Sequence, residues 1–225
     1  MNLLAIETST ETCSVAISLD GEVLERYQHA PRLHAELLLP WVEQLLAEAG
    51  TGFSSIDAIA FSRGPGSFTS LRIGIGVVQG LAWASDRPVI PVSSLAATAQ
   101  TASNEGIDAA LVALDARMNE VFTGTFEVNG KGLMIPVNTE KVCSPEDVEV
   151  PKHSETYGIG NGFDRYPALE GISGHLQGIR SDIWPKASSM LQLAQDWLNT
   201  HEPLSAELAQ PVYLRDNVAK KEKDR

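Results

Sequence analysis

The sequence predicts an α/β protein built twice from one mixed-sheet unit, with the second copy reduced. Three observations carry this reading. The chain opens strand, turn, strand, turn, strand; helix and strand then alternate as far as Val92; and the same opening recurs from Leu111. A meander followed by alternating helix and strand makes a mixed sheet. Recurrence of one opening marks an internal duplication.

Leu3 to Ile6 is an apolar run, Ser14 to Leu19 alternates around Val15, Ile17 and Leu19, and Asp20-Gly21 is a two-residue hairpin signal before Val23-Leu24. A helix is expected from Leu33 to Ala49. Within it Pro40 cannot donate to the carbonyl of Glu36, so a kink or a late start is expected. The strand Ala58 to Phe61, a glycine-rich loop, a helix from Thr69 to Ala84 and the buried strand Val89 to Val92 follow. The polar run Thr101 to Gly106 marks a boundary, dividing the chain into domains 1–103 and 104–225. The second unit opens with Leu111 to Asp115, the turn Ala116-Arg117-Met118-Asn119 and the alternating segment Val121 to Val128. Between Lys131 and Ser181 the text is rich in Gly, Pro and polar residues, and no strand is assigned. A last helix spans Ala187 to Leu198, with Leu191, Ala194 and Leu198 on one face, and the charged tail Lys220 to Arg225 is expected to be mobile.

Composition narrows the function. Among 225 residues, 29 are acidic and 17 basic, a net charge of −12, so the surface as a whole is unsuited to nucleic acid. No stretch approaches the ~18 to 20 apolar residues that span a bilayer. The first residues read as a strand that starts at once, and the cytoplasm is the expected compartment. Cys13 and Cys143 lie far apart with no Cys or His at ligand spacing, which excludes a disulfide scaffold and a zinc ribbon. No two of the five histidines are three or four residues apart, and there is no Gly-x-Ser-x-Gly elbow.

The segment Ser62 to Gly74 stands between a strand and a helix, where backbone N–H groups can meet an anion. It lacks the Gly-Lys-Ser/Thr closure of a phosphate loop, and Thr69 stands at the third glycine of a dinucleotide fingerprint. A tight turn with Ser67 or Thr69 as helix cap is the simpler reading. Glu7 and Asp115 end buried strands and could hold a hydrated metal; a turn acceptor capping its own hairpin explains each better. The second helix carries Gly74, Gly76 and Gly80, each costing about 1 kcal/mol relative to alanine. Gly76 and Gly80 share a face and permit close approach by another helix, internal or from a partner. The first helix, with Leu33, Leu37, Leu38, Leu39, Trp41, Val42, Leu45 and Leu46, is apolar beyond the stripe a surface helix needs. It is therefore either fully buried or shared, and with only two helices to cover the sheet a protein interface is favoured.

Ile6-Glu7-Thr8-Ser9, Asp57-Ala58-Ile59-Ala60, the run Arg63 to Gly74 with its Gly-Pro-Gly-Ser-Phe-Thr core, Leu114-Asp115-Ala116-Arg117 and Pro211-Val212-Tyr213-Leu214-Arg215 together resemble the bacterial TsaB (YeaZ) family. The resemblance implies a two-domain actin-like ATPase (ASKHA) fold. It also implies a part in forming the N6-threonylcarbamoyl group on the adenosine next to the anticodon of tRNAs reading codons that start with A. In that pathway TsaC makes threonylcarbamoyl-adenylate, TsaD transfers the group, TsaE is an ATPase, and TsaB is the subunit TsaD requires. TsaD-like relatives carry a His-x-x-x-His metal pair where this sequence has Ser94 and Thr98, poor ligands for a transition metal. The resemblance therefore implies no catalytic residue and no metal in this chain, and a second domain too short for the insertions that cover nucleotide.

What it implies instead is a scaffold that pairs with TsaD through the two long helices and recruits TsaE with it. The contact residues expected are Leu37, Leu38, Trp41, Leu45, Gly76, Val77, Val78, Gly80 and Leu81, with Trp41 as anchor. The same surface allows a homodimer of the isolated chain, and tRNA is met only through the complex. No cofactor is intrinsic; ATP or ADP is expected at the complex interface, with Glu7, Thr8, Ser9, Arg63, Gly64 and Gly66 as candidate nucleotide or anion contacts. Three rival readings are a metal-dependent peptidase acting on TsaD, a small-molecule kinase, and an RNA-binding protein using Arg63, Arg72 and the tail.

Overall fold

A computed structural model describes residues 1–151 and 155–215; the expected mobile tail lies outside them. The first sheet has the order β3-β2-β1-β4-β5, from β1 (Leu3–Glu7), β2 (Thr12–Leu19), β3 (Glu22–His29), β4 (Ala58–Gly64) and β5 (Val89–Ser93). β1 pairs antiparallel with β2 and parallel with β4. The β2–β3 hairpin turns at Asp20 and Gly21, both at positive φ, the geometry that the Asp-Gly pair favours. The second sheet is formed by β6 (Ala109–Asp115), β7 (Val121–Val128), β8 (Met134–Pro136), β10 (Tyr157–Ile159) and β11 (Gly178–Arg180), in the order β11-β10-β6-β7-β8. β9 (Lys141–Cys143) pairs with β7 beside this path. β6 is antiparallel to β7 and parallel to β10, as β1 is to β2 and β4. The two sheets thus share one topology.

β1 is buried on both faces, and its period-2 alternation sends side chains to two different cores. Leu4 and Ile6 face α1 (His34–Glu48) and α2 (Phe68–Ser85), beside Leu38, Trp41, Leu45 and Val78. Leu3 and Ala5 join Ala16, Ala58 and Ala60 on the opposite face, where α6 (Ala187–Trp197) lays Ala187, Met190, Leu191 and Ala194. α3 (Ser94–Ser103) packs on the second sheet through Leu95, Ala99 and Ala102, and α3 and α6 pack against each other. Two single-turn helices, α4 (Gly162–Arg165) and α5 (Glu170–Ser173), lie in the second unit, with Phe163 of α4 in the core under that sheet's other face. Among the described residues no helix is long and apolar enough to cross a membrane.

Three sequence expectations need correction. A division at 103/104 separates the strands of the two sheets but not the helices, because α6, from the far end of the chain, covers the first sheet. The N-terminus of α6 is capped from that sheet: Ser188 N and Oγ donate to the Glu25 carboxylate at 2.9 Å each, and Ala187 N donates to Ser14 Oγ at 3.0 Å. A carboxylate at a helix N-terminus also complements the helix dipole. Secondly, α1 has no late start. It runs from His34 through Pro40, and both Pro40 and Glu36 are exposed, so the carbonyl that loses its donor is on the solvent side. Thirdly, α3 has no counterpart in the sequence reading. Its polar residues are sealed by the helix itself, Thr98 Oγ1 donating to the Ser94 carbonyl at 2.8 Å and Thr101 Oγ1 to that of Ala97 at 2.9 Å.

Because α6 closes the first sheet, a fragment of residues 1–103 is expected to stay unfolded by circular dichroism and amide NMR. In the whole chain, Met190→Ala is expected to keep the fold and to lose about 2–5 kcal/mol in urea denaturation.

Candidate functional site

Of the residues expected at a partner interface, Leu38, Trp41, Leu45 and Val78 are buried in the chain's own core; Trp41 is only 9% exposed. The breadth of α1's apolar surface reflects two internal neighbours, the sheet and α2, and Trp41 is not an available anchor. Leu37, Val77 and Leu81 are half-buried and pack against that core. Gly76 and Gly80 are exposed, and a Cβ built at either meets nothing within 4 Å. Among the described residues nothing occupies the space directly above these two glycines. One turn further along the same face stands Trp83, 78% exposed. Gly76, Gly80 and Trp83 floor and wall a groove of ≈ 520 Å³, closed on its other side by Ala206 and Glu207. Trp83 was legible as the third member of this face at i+7 from Gly76, and the sequence reading passed over it.

The glycine-rich loop does different work. A Cβ on Gly74 would lie 2.2 Å from Thr8 Oγ1, and one on Gly66 2.3 Å from the Ser9 carbonyl, to which Ser67 N donates at 2.7 Å. Gly64 has φ +96° and sits against Leu71 and the Val212 carbonyl. These glycines let the loop seat on the turn after β1, so the space that a phosphate would need is filled by Thr8 and Ser9. Neither Ser67 nor Thr69 caps α2 by a side chain. Arg63 pairs with Glu140 of the second unit at 3.3 Å, and Glu140 also accepts a short hydrogen bond from Ser93 Oγ. Glu140 bridges the two units and was not singled out from sequence. Arg72 lies over the Phe68 ring at 3.6 Å and donates to Tyr213 Oη at 3.1 Å. Both cations proposed for an RNA contact are thus engaged inside the chain.

Glu7 and Asp115 turn out to be equivalent turn acceptors. Glu7 Oε1 accepts from Ser9 N at 2.5 Å, and Asp115 Oδ1 from Arg117 N at 2.8 Å, each two residues on. Their surroundings differ. Asp115 also accepts from Tyr166 Oη at 2.6 Å and pairs with Arg117 and Arg165 at 3.0 and 3.1 Å. Glu7 is fully buried with no basic partner among its contacts, and burial pushes its pKa up to about 7 against the pull of hydrogen bonding from Ser9 and Ser62. Burial first, and the Glu7 charge second, push the Cys13 thiol up to about 12, which leaves it inert at neutral pH. Ser94 and Thr98 occupy successive turns of α3, both buried, with the Thr98 hydroxyl committed to its own helix. The turn Arg117-Met118-Asn119 has three consecutive residues at φ between 56° and 60°, a left-handed run that costs L-residues about 1–2 kcal/mol each.

Residues 26–223 match the family model for TsaD, tRNA N6-adenosine threonylcarbamoyltransferase. Two relatives named tRNA threonylcarbamoyladenosine biosynthesis protein TsaB are similar over nearly the whole chain. The Escherichia coli one is 40% identical, over 97% of this chain and 96% of its own, and the Haemophilus influenzae one 39% identical, over 97% and 95%. The solved YeaZ structure from Pseudomonas aeruginosa superposes with a TM-score of 0.89 at 45% identity, covering 95% of this chain and 99% of that one. The chain belongs to the TsaB (YeaZ) family.

The buried carboxyl makes a signed prediction. Glu7 holds its proton more tightly folded than unfolded, so its contribution to stability is full below pH 4.5 and is lost as pH rises to about 7. Glu7→Gln keeps an acceptor for Ser9 N. It is expected to be more stable than wild type by up to about 3 kcal/mol at pH 8, and equal to it near pH 4.5, in urea titrations at the two pH values.

Proposed function

We propose that this chain is a non-catalytic subunit in formation of the N6-threonylcarbamoyl group on the adenosine next to the anticodon of tRNAs that read codons starting with A. In this reading it binds and activates a TsaD-type transferase and, together with it, recruits TsaE. The observation that carries the docking mode is the uncovered glycine face of α2. Two glycines in a helix interior cost stability, nothing inside the chain uses the space they leave, and an exposed tryptophan stands at their end. A second helix can approach closely at Gly76 and Gly80, with Leu37, Val77 and Leu81 at the margin and Trp83 in place of Trp41 as anchor. The same face would pair two copies of the isolated chain and compete with the heterodimer.

The paired sheets of one topology support an actin-like ASKHA fold with a reduced second domain, as expected for a pseudoenzyme. Glu7, Thr8, Ser9, Arg63, Gly64 and Gly66 pack on one another or on Glu140, so they do not fit a phosphate cradle within this chain. A nucleotide of the complex is assigned to the junction with the partner proteins, and tRNA is held by the assembly. Ser94 and Thr98, where TsaD-like relatives have histidines, support the non-catalytic role. The metal-dependent peptidase reading lacks support among the described residues, where no group of three or more His, Cys, Asp or Glu side chains is placed to hold a metal ion. The site of action is assigned to the cytoplasm.

Gly76→Ala and Gly80→Ala are each expected to stabilise the isolated chain by about 0.5–1 kcal/mol, because open helical positions favour alanine. Gly80→Leu is expected to keep the fold, to lose co-elution with TsaD and to lower threonylcarbamoyl transfer by TsaC, TsaD and TsaE at least tenfold, measured on tRNA with and without this chain. Unchanged co-elution would place the docking face elsewhere. Transfer that is indifferent to the chain would overturn the functional reading itself.

A further inference from the structure

After α6 the chain turns back across the molecule, and its last described stretch, residues 204–215, touches both units in succession. Leu204 pairs with Val89 through two backbone bonds of 2.7 and 2.9 Å, extending the edge strand of the first sheet. Ala206 and Ala209 are buried in the first core, and Gln79 Nε2 of α2 donates to the Ala209 carbonyl at 2.9 Å. Val212 N donates to the Arg63 carbonyl at 2.7 Å, which lays the strap over the carboxyl end of β4. Tyr213 then stacks on Phe68, ring centroids 5.6 Å apart, and accepts from Arg72. The next two residues cross to the second unit. Leu214 packs on the core of the second sheet, and Arg215 donates to the Ala116 carbonyl at 3.0 Å and the Arg117 carbonyl at 3.4 Å, and pairs closely with Glu120.

The place where Arg215 lands is unusual. The run Arg117-Met118-Asn119 is left-handed throughout, which turns the Ala116 and Arg117 carbonyls together beside the Glu120 carboxylate. That cluster of oxygens is a cradle for a cation, and the guanidinium fills it with a fixed fork of donors. Two further side-chain ion pairs join the units from the strand side, Arg63 with Glu140 at 3.3 Å and Arg117 with Glu11 at 2.8 Å. The second of these uses the same strained turn.

We propose that residues 204–215 are a clasp that holds the two units closed, with Arg215 as the catch on the left-handed turn at Arg117–Asn119. The first unit provides a rail of backbone pairing and buried alanines, and the second is gripped at the strap's end by Leu214 on its core and Arg215 on its turn. Release of Arg215 frees the turn at residues 116–120 and loosens the strap where it crosses the carboxyl end of β4. The clasp is formed by this chain's own residues, and its Ala206 and Glu207 also wall the groove at Gly76 and Gly80.

Hydrogen–deuterium exchange of the full chain tests it. In Arg215→Ala, amides of residues 116–120 and 210–214 are expected to exchange at least tenfold faster than in wild type, with the amides of α1 unchanged; Arg215→Lys, which retains charge but not the fork, falls between. Tyr213→Ala is the decisive variant, because the ring and hydroxyl of Tyr213 engage Phe68 and Arg72 of the first unit. A clasp transmits its loss to residues 116–120 and accelerates them as well. Unchanged exchange at residues 116–120 in Tyr213→Ala would reduce Arg215 to a local brace and overturn the proposal. So would uniform acceleration through α1 in Arg215→Ala, which would report a general loss of stability.

Discussion

The inner face of the first sheet has to be covered, and the helix that covers it comes from the other end of the chain. Ala5, Ala16, Ala58 and Ala60 make that face flat and shallow, and Met190, Leu191 and Ala194 of α6 fill it. Small side chains on a sheet let a helix approach closely, but they leave the sheet with little to bury unless that helix arrives. The caps donated by Glu25 and Ser14 fix where α6 begins, so its register on the sheet is set by polar contacts and its hold by apolar ones. From this follows the rest of the arrangement. α6 and α3 fill the space between the sheets, α1 and α2 are left to the outer side, and the strap has to return over α2.

The glycines show how one residue type serves opposite ends within a few positions. Gly66 and Gly74 are required by what touches them, because any side chain there would collide with Ser9 or Thr8. Gly76 and Gly80 are touched by nothing, and their cost to the helix has no return inside the chain. A helix that gives up stability on one exposed face while packing its other face tightly is organised for something that arrives later. That contrast can be drawn only from coordinates. In the sequence all the glycines of α2 look alike.

Much of the fold was readable because its signals are local. Asp20-Gly21 announces a hairpin by backbone conformation alone, and the alternation in β2 and β7 announces half of each sheet. The duplication was visible as Ile6-Glu7 and Leu114-Asp115, and the shared i to i+2 acceptor geometry explains why a carboxylate ends each strand. What stayed hidden depends on tertiary partners. β8 to β11 are three residues long, too short for any period to register, and their pairing comes from neighbours. α3 is surrounded on several sides, so no stripe marks it, and its hydroxyls hide in its own carbonyls. For α1 the apolar excess was seen and its cause misjudged, since the count of covering helices could not include the contact between α1 and α2. The glycine face was legible, whereas Trp41, expected at an interface, packs in the chain's own core.

Glu7 and Asp115 show how the two halves have diverged while their turns have not. Asp115 is compensated three times over, by Arg117, Arg165 and Tyr166, and serves as the hub on which the second unit's turn is built. Glu7 holds the same turn with a single amide bond, buried and without a cation. A neutral acceptor would serve the turn equally well, so the acid is a local inconsistency, and its Oε2 is buried without a hydrogen-bond partner. It stands at the carboxyl end of β1, whereas its counterpart stands beside the turn that Arg215 grips. Both strand ends have thus kept a turn acceptor, while only the second has gathered a charged network around it.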